Sequence, residues 1–451
     1  MLWLVSTARH PRERTLRLLL LYLTYSVVEV AIKRFGHFSW TVYPLKFVLL
    51  FSVYLSWAGI TARRRLPLAS VPFAGVLGAY LALAALQIFN PIQANPLVGA
   101  AGWLSDFAFV PFYFVAFHLF DDVRSMRRFM YATAALGVLS AAACLGEQWY
   151  GPDELMRQYP AFVHLLYFTG STVVHRPALL SPYNEVFAIA AIVGLLQARK
   201  GSMVLLAAAI ALCVVANILH VVRIGWFTGL VTIALLSLLN SRRRMINVAL
   251  VAASIVLAVN VGMTVTDGQI ADALNSATTP VRTFEEKRLW GVQAIPLVMA
   301  DYPFGVGVGG ASPGVRFLNA DGVTSFGTHN YLADLTGQMS ILGPILLIIF
   351  SIRVAASVLR DLRASATQDE WRAQVSFAFA MFGALALSLF GGGGLGSSPV
   401  SDYFWLTTGA AMGLTYARRR EAARAREVIT SRRPGPMLVP RAALARRKTA
   451  S

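Results

Sequence analysis

The chain has 451 residues, of which 56% are hydrophobic and 14% charged, with a mean hydropathy of +0.59; soluble domains carry roughly 25% charged residues. That composition excludes a water-soluble enzyme, and the same apolar excess excludes a disordered chain. The net charge of +18, from 40 Lys+Arg against 22 Asp+Glu, would ordinarily suggest nucleic acid, so the position of the charges relative to the apolar runs decides its meaning.

A membrane-crossing helix needs roughly 20 apolar residues. Such runs predict spans near 16–32, 44–60, 71–89, 98–120, 128–145, 182–198, 202–219, 221–239, 245–263, 341–359, 374–391 and 402–417. The run at 98–120 is the least regular, because it holds Asp106 and has prolines nearby. No internal repeat points to a solenoid. The expected architecture is an all-α polytopic membrane protein of about 12 transmembrane helices.

With the N-terminus inside, 30 of the 40 basic residues fall in cytoplasmic segments. These are Arg9 to Arg17, Arg63 to Arg65, Arg124 to Arg128, Arg199 and Lys200, Arg242 to Arg244, Arg353 to Arg372, and the tail after Ala417. Every internal loop obeys the positive-inside rule, and shifting the count by one helix would destroy the agreement. Both termini are therefore expected in the cytoplasm. The first run lacks a small-residue cleavage site and reads as a retained helix. Cys144 and Cys213 both lie inside spans, without metal-ligand spacing, and read as small buried hydrophobes.

The predicted organisation is then 1–263, nine spans with short loops and an outer segment near 146–181; 264–340, a large outer loop; 341–417, three spans; and 418–451, a basic tail. The tail, with Pro434, Pro436 and Pro440, reads as an unstructured topological anchor, with anionic lipids or a cytoplasmic partner as the functional alternative. Gly391 to Gly394, with Ser397 and Ser398, reads as an outer turn.

Chemistry is to be sought among the ten outer basic residues, and chiefly in 264–340, which is too long for a passive connection. There, 281–297 reads as an amphipathic helix carrying Arg282, Lys287 and Arg288, with Leu289, Val292 and Ile295 on an apolar side. Asp301-Tyr-Pro-Phe-Gly-Val-Gly-Val-Gly follows, then Thr328-His-Asn-Tyr-Leu. The glycines lack phosphate-loop spacing and a strand–helix context, so they read as a tight loop with close backbone approach. Taken singly, Arg223 reads as an interfacial snorkelling residue, Arg288 as a solvated helix charge and His329 as a hydrogen-bonded loop histidine. Together on one membrane face, two guanidiniums suit a phosphate-bearing substrate and an imidazole suits proton removal from a hydroxyl.

At these residues the sequence resembles the superfamily of O-antigen ligases and Wzy-type polysaccharide polymerases, bacterial inner-membrane glycosyltransferases. Arg223-Ile-Gly-Trp resembles the family's Ser-Arg-Gly element. Arg288, leading into Asp301-Tyr-Pro-Phe-Gly-Val-Gly, resembles its arginine helix and Pro-x-Gly-x-Gly loop. Thr328-His-Asn-Tyr-Leu resembles its His-Asn segment, and Ile341-Leu-Gly the start of its following span. The match covers about 220–345, and Glu29, Lys33 and Lys46 echo an N-terminal pattern of exopolysaccharide members. Val222 stands where serine is usual, Gln338 where an acidic residue is common, and Ser340 where glycine is common.

The resemblance implies a GT-C-like helical fold with a partly helical periplasmic loop, in the bacterial inner membrane, with its active site periplasmic. The donor would be an undecaprenyl-diphosphate-linked oligosaccharide, with an acceptor glycan and no nucleotide sugar, cofactor or required metal. It implies His329, Arg288 and Arg223 as catalytic residues, with Arg282, Lys287, Asn330, Tyr302 and Gln338 in substrate binding. Membrane lipids and chain-length or export proteins would be partners, and nucleic acid would not. Polymerase is the leading expectation, O-antigen ligase the second. A lipid-linked oligosaccharide flippase or transporter is the third, disfavoured because no two related halves appear and the candidate residues cluster outside. Asp106 and Glu185 remain as further acceptor contacts without an assigned role.

Overall fold

The structure is a computed structural model that describes residues 10–36, 39–65, 67–93, 95–159, 166–169, 172–175, 179–220, 223–239, 252, 290–309, 330–365, 370–389, 395 and 398–431. The chain is helical almost throughout these residues. In order come α1 (Pro11–Gly36), α2 (Ser39–Arg64), α3 (Ala74–Leu86), α4 (Pro96–Asp106), α5 (Phe112–Leu119), α6 (Val123–Tyr150) and α7 (Pro152–Gln158). A hairpin, β1 (Leu166–Thr169) and β2 (Thr172–His175), precedes α8 (Tyr183–Gln197), α9 (Met203–Leu219) and α10 (Arg223–Leu239). Then follow α11 (Trp290–Asp301), α12 (Tyr331–Met339), α13 (Leu342–Ala364), α14 (Glu370–Ser388) and α15 (Val400–Ser431).

Among the described residues, four helical segments are long and apolar enough to cross a membrane: Pro11–Lys33, Pro44–Arg63, Val123–Tyr150 and Leu342–Ala364. Others, such as Tyr183–Gln197 and Met203–Leu219, are apolar but shorter, about 22–26 Å at 1.5 Å per residue against a hydrocarbon core of roughly 30 Å. Burial explains how the short ones persist. From Asn184 to Leu195, and along most of α14 and the first half of α15, almost every side chain is buried whichever way it faces. A helix that is apolar all round belongs at the centre of a bundle. Accordingly α8 packs on α6, α9, α10 and α14, while α15 packs on α5, α13 and α14. The lipid-type surface lies outside, on helices such as α2, where Val48, Phe51 and Leu55 are exposed.

Four sequence expectations need correction. The run at 98–120 is not one helix: it breaks between Asp106 and Phe112, with Pro111 at the start of α5, since proline lacks the N–H that a continuing helix requires. In the outer loop, the described helix runs to Asp301, past the expected end near 297; residues 281–289 lie outside the described residues. The tail is helical as far as Ser431, because Ala417 to Glu427 are alanine, arginine and glutamate, all strong helix formers. The segment 146–181 carries an antiparallel hairpin in which Tyr167 pairs with Val174 and Phe168 with Val173. Its strands are aromatic and β-branched, the types that fit a pleated surface. The expected span at 245–263 apart from Ala252, the turn Gly391 to Gly394 and the tail from 432 fall outside the described residues.

The two ends of the bundle differ in charge. One end gathers the basic segments that the topology reading had grouped together. Arg12 binds Asp121 and Asp122; Arg127 and Lys200 both bind Glu370, at 3.0 and 3.3 Å; Arg419 grips Asp361 through two contacts of 2.7 and 2.9 Å. Arg372 donates to the carbonyls of Leu239, Leu362 and Ser365 and so ties the ends of α10 and α13. The opposite end holds buried polar groups: Glu29 with Lys33 and Lys46, and Asp402 accepting from Tyr22 and Ser26. Cys144 and Cys213 are buried free thiols.

Candidate functional site

The segment from Tyr302 to Gly309 is held at this opposite end by its own backbone. Val306 N–H donates to Gly337 O at 2.8 Å and Gly307 N–H to Gln338 O at 3.2 Å, fastening the loop to the end of α12. From the other side Gln87 donates to Phe304 O at 2.7 Å and Asn90 to Gly305 O at 3.0 Å. Gly305 and Gly307 have φ of +80° and +97°, where any other residue is strained. A Cβ on Gly307 would stand 1.7 Å from Gln93 Nε2, and one on Gly102 of α4 would stand 1.8 Å from Val308 O. These glycines therefore serve close packing of loop on helix, as the spacing suggests.

Beneath the loop lies a polar cluster at the break of the 98–120 run. Asp106, the last residue of α4 and buried, accepts a hydrogen bond of 3.2 Å from Gln338 Nε2. Tyr80 and Tyr331, both buried, lie near each other and near Asp106. Gln338 is thus seated between α12, the loop and α4, and its amide faces a carboxylate. Asn330 caps α12 by accepting from Leu332 and Ala333 N–H at 3.1 and 3.3 Å, the usual service of an N-cap asparagine. Tyr331 N–H donates to Leu389 O at 3.1 Å, pinning the start of α12 to the end of α14. Tyr302 is partly exposed at the start of the loop.

Arg223 is the first residue of α10. That helix is anchored one turn on, where Trp226 Nε1 donates to Asn217 O at 2.9 Å, and Asn217 in turn donates to Pro182 O at 3.0 Å. Beneath these contacts His220 Nε2 lies 3.4 Å from Glu185 Oε1, the two side chains 1% and 0% exposed. Glu147 accepts from Leu179 N–H at 3.0 Å in the same neighbourhood. α10 packs along α14 in the opposite sense, since Arg372 near the start of α14 reaches the last residue of α10. The starts of α10 and α12 therefore share the end of α14 where Leu389 stands.

Of the sequence-derived site residues, Arg223, Asn330, Tyr302 and Gln338 lie at this end; no side-chain position is described for Arg223. Arg282, Lys287, Arg288 and His329 lie outside the described residues. The pairing of Glu185 with His220 went unassigned in the sequence, although a histidine three residues before Arg223 was a readable signal. Similarly, the bond between Asp106 and Gln338 joins positions 232 residues apart, which no local pattern encodes. Among the described residues, no cluster of three or more His, Cys, Asp or Glu is arranged to hold a metal ion. No protein-family model matches the chain, and no curated protein matches it.

Proposed function

We propose that the chain is a membrane glycosyltransferase of the O-antigen ligase and Wzy polymerase type. It crosses the inner membrane about twelve times in a GT-C-like arrangement, with both termini cytoplasmic and the reaction on the periplasmic side. The observation that carries this reading is that two chain positions lie toward the same end of α14: the start of α10, headed by Arg223, through the antiparallel packing of α10 on α14, and the start of α12, two residues after His329, through the bond from Tyr331 N–H to Leu389 O. The arginine-rich loops gather at the other end, as positive-inside orientation requires.

In this reading an undecaprenyl-diphosphate-linked glycan presents its diphosphate at headgroup depth. Arg223 and Arg288 hold it as bidentate donors and stabilise the charge that grows on the leaving diphosphate. An acceptor sugar hydroxyl attacks the anomeric carbon, a C–O bond forms, and the bond to the diphosphate breaks with its electron pair leaving on phosphate oxygen. His329 takes the hydroxyl proton. Arg282 and Lys287 add positive charge near the diphosphate, while Asn330, Tyr302 and Gln338 shape the loop around the glycan. No metal or nucleotide enters the step. The preferred product is a polymer of repeat units.

Four strains test it. A deletion strain should lose long chains and keep a single-repeat product, whereas undecorated core with intact lipid-linked polymer would mean a ligase. Arg223→Ala, Arg288→Ala and His329→Ala should each abolish product at unchanged protein level; normal polymer from Arg288→Ala removes that residue from the reaction. Purified protein that moves lipid-linked glycan across a bilayer without making a glycosidic bond would establish a flippase instead.

A further inference from the structure

At the basic end a cavity of about 760 Å³ opens between the start of α1, the end of α2 and the start of α6. Its walls carry four arginines, Arg12, Arg63, Arg124 and Arg128, against two carboxylates, Glu13 and Asp122. The carboxylates are already engaged: Asp122 by Arg12 and by Ser125, and Glu13 by Arg17 at 2.8 Å. Among the described residues, Arg63 and Arg124 make no ion pair, and both are exposed. The floor is apolar, formed by Leu16, Ile60 and Val123.

A second observation concerns what leads to the cavity. On α2, Leu45, Val48, Phe51 and Leu55 form an exposed apolar stripe at helical spacing. It continues through Ala58, Gly59 and Ala62, all exposed, and ends at Arg63. No neighbouring group lies within 4 Å of a Cβ built at Gly59, so the surface beside the arginine is shallow enough for a hydrocarbon chain to lie flat. An apolar track that ends at two uncommitted guanidiniums above an apolar floor matches one kind of molecule, an acyl chain with a phosphate at its head. Guanidinium forks hold phosphate oxygens in pairs, and basic clefts between membrane helices suit anionic headgroups.

We propose that this cleft is a binding site for an anionic phospholipid, with the headgroup phosphate between Arg63 and Arg124 and an acyl chain along α2. The site is independent of the glycan chemistry at the other end.

The test uses full-length protein purified in detergent and stripped of lipid, with thermal unfolding followed after addition of phosphatidylglycerol, phosphatidylcholine or inorganic phosphate. Phosphatidylglycerol should raise the midpoint by about 3 °C or more, and the other two should not. The shift should vanish in R63Q/R124Q and persist in R360Q, which removes an exposed arginine of α13 outside the cavity. If the double variant does not fold, Arg63→Gln alone, at an exposed helix end, should at least halve the shift. Equal shifts from phosphatidylcholine, an equal shift from inorganic phosphate, or an undiminished shift in the arginine variants would each overturn the proposal.

Discussion

The two ends of the bundle use the same ionisable groups in opposite ways. At the basic end the partners are partly open to solvent: side chains are 27% exposed for Arg12 and 38% for Lys200. At the other end Glu29 and Lys46 are 6% and 7% exposed, and Glu185 and His220 are sealed. A unit charge pair that is worth about 1 kcal/mol in water at 4 Å is several times stronger where water is excluded, but losing one partner there strands the other. Abundant exposed arginines at the basic end therefore carry little dependence on any one of them. The few buried groups act individually, and the packing of the candidate site depends on each.

The largest test of that contrast is Lys46→Met. It removes the buried ammonium 3.4 Å from Glu29 and leaves that carboxylate with Lys33, a quarter exposed, as its remaining partner; it should cost about 2–3 kcal/mol, read as a lowered unfolding midpoint in detergent, and adding Glu29→Gln should recover part of the loss. Arg157→Gln breaks a closer pair, 2.7 Å, on a side chain 76% exposed, and should leave the midpoint where it was. Equal losses in the two variants would dissolve the distinction between buried and exposed pairs.

A glycine pair sharpens it next. Gly102→Ala would place a methyl 1.8 Å from Val308 O, forcing the glycine loop off α4 at about 1–3 kcal/mol and with loss of product. Gly78→Ala meets nothing within 4 Å and should stabilise α3 by up to about 1 kcal/mol. A Gly102→Ala protein with wild-type melting and activity would mean that the loop does not rest on α4.

Much of the helical layout was readable because span hydropathy is a local property. The described helices fall on eleven of the twelve expected runs, and the grouping of charged loops followed from counting arginines. What escaped was non-local or compensated. The break after Asp106 has a local sign in Pro111, but the bond by which Gln338 reaches Asp106 from α12 has none, and the continuation of α15 past Ala417 is hidden when its arginines are read as a mere anchor. The hairpin was missed although Gly170-Ser171 between two β-rich tetrads is a turn signal. In the candidate site, the glycine loop is legible from its spacing and His220 is noticeable beside Arg223, whereas its partner Glu185 on α8 has no local sign of that pairing.

The smallest measurable loss should come from Asp122, which belongs to the basic end yet serves the backbone. It caps α6 by accepting from Ser125 N–H at 2.8 Å and Ser125 Oγ at 2.7 Å. Burial pushes its carboxyl up, but those two bonds, the Arg12 charge and the Arg124 N–H outweigh burial and hold it below the usual carboxylate range. A carboxyl lowered in the folded state stabilises above its unfolded value, about 3.9, and that contribution is lost as pH falls through the lowered folded value. Asp122→Ala should therefore cost about 1 kcal/mol at neutral pH, a normal capping loss, and the gap to the parent protein should close on acidification toward pH ~3. Asp122→Asn keeps a capping oxygen without the charge, so it should retain most of the neutral-pH stability. A loss in Asp122→Asn as large as in Asp122→Ala would make the charge on Arg12, rather than the cap on α6, the interaction that matters at this end.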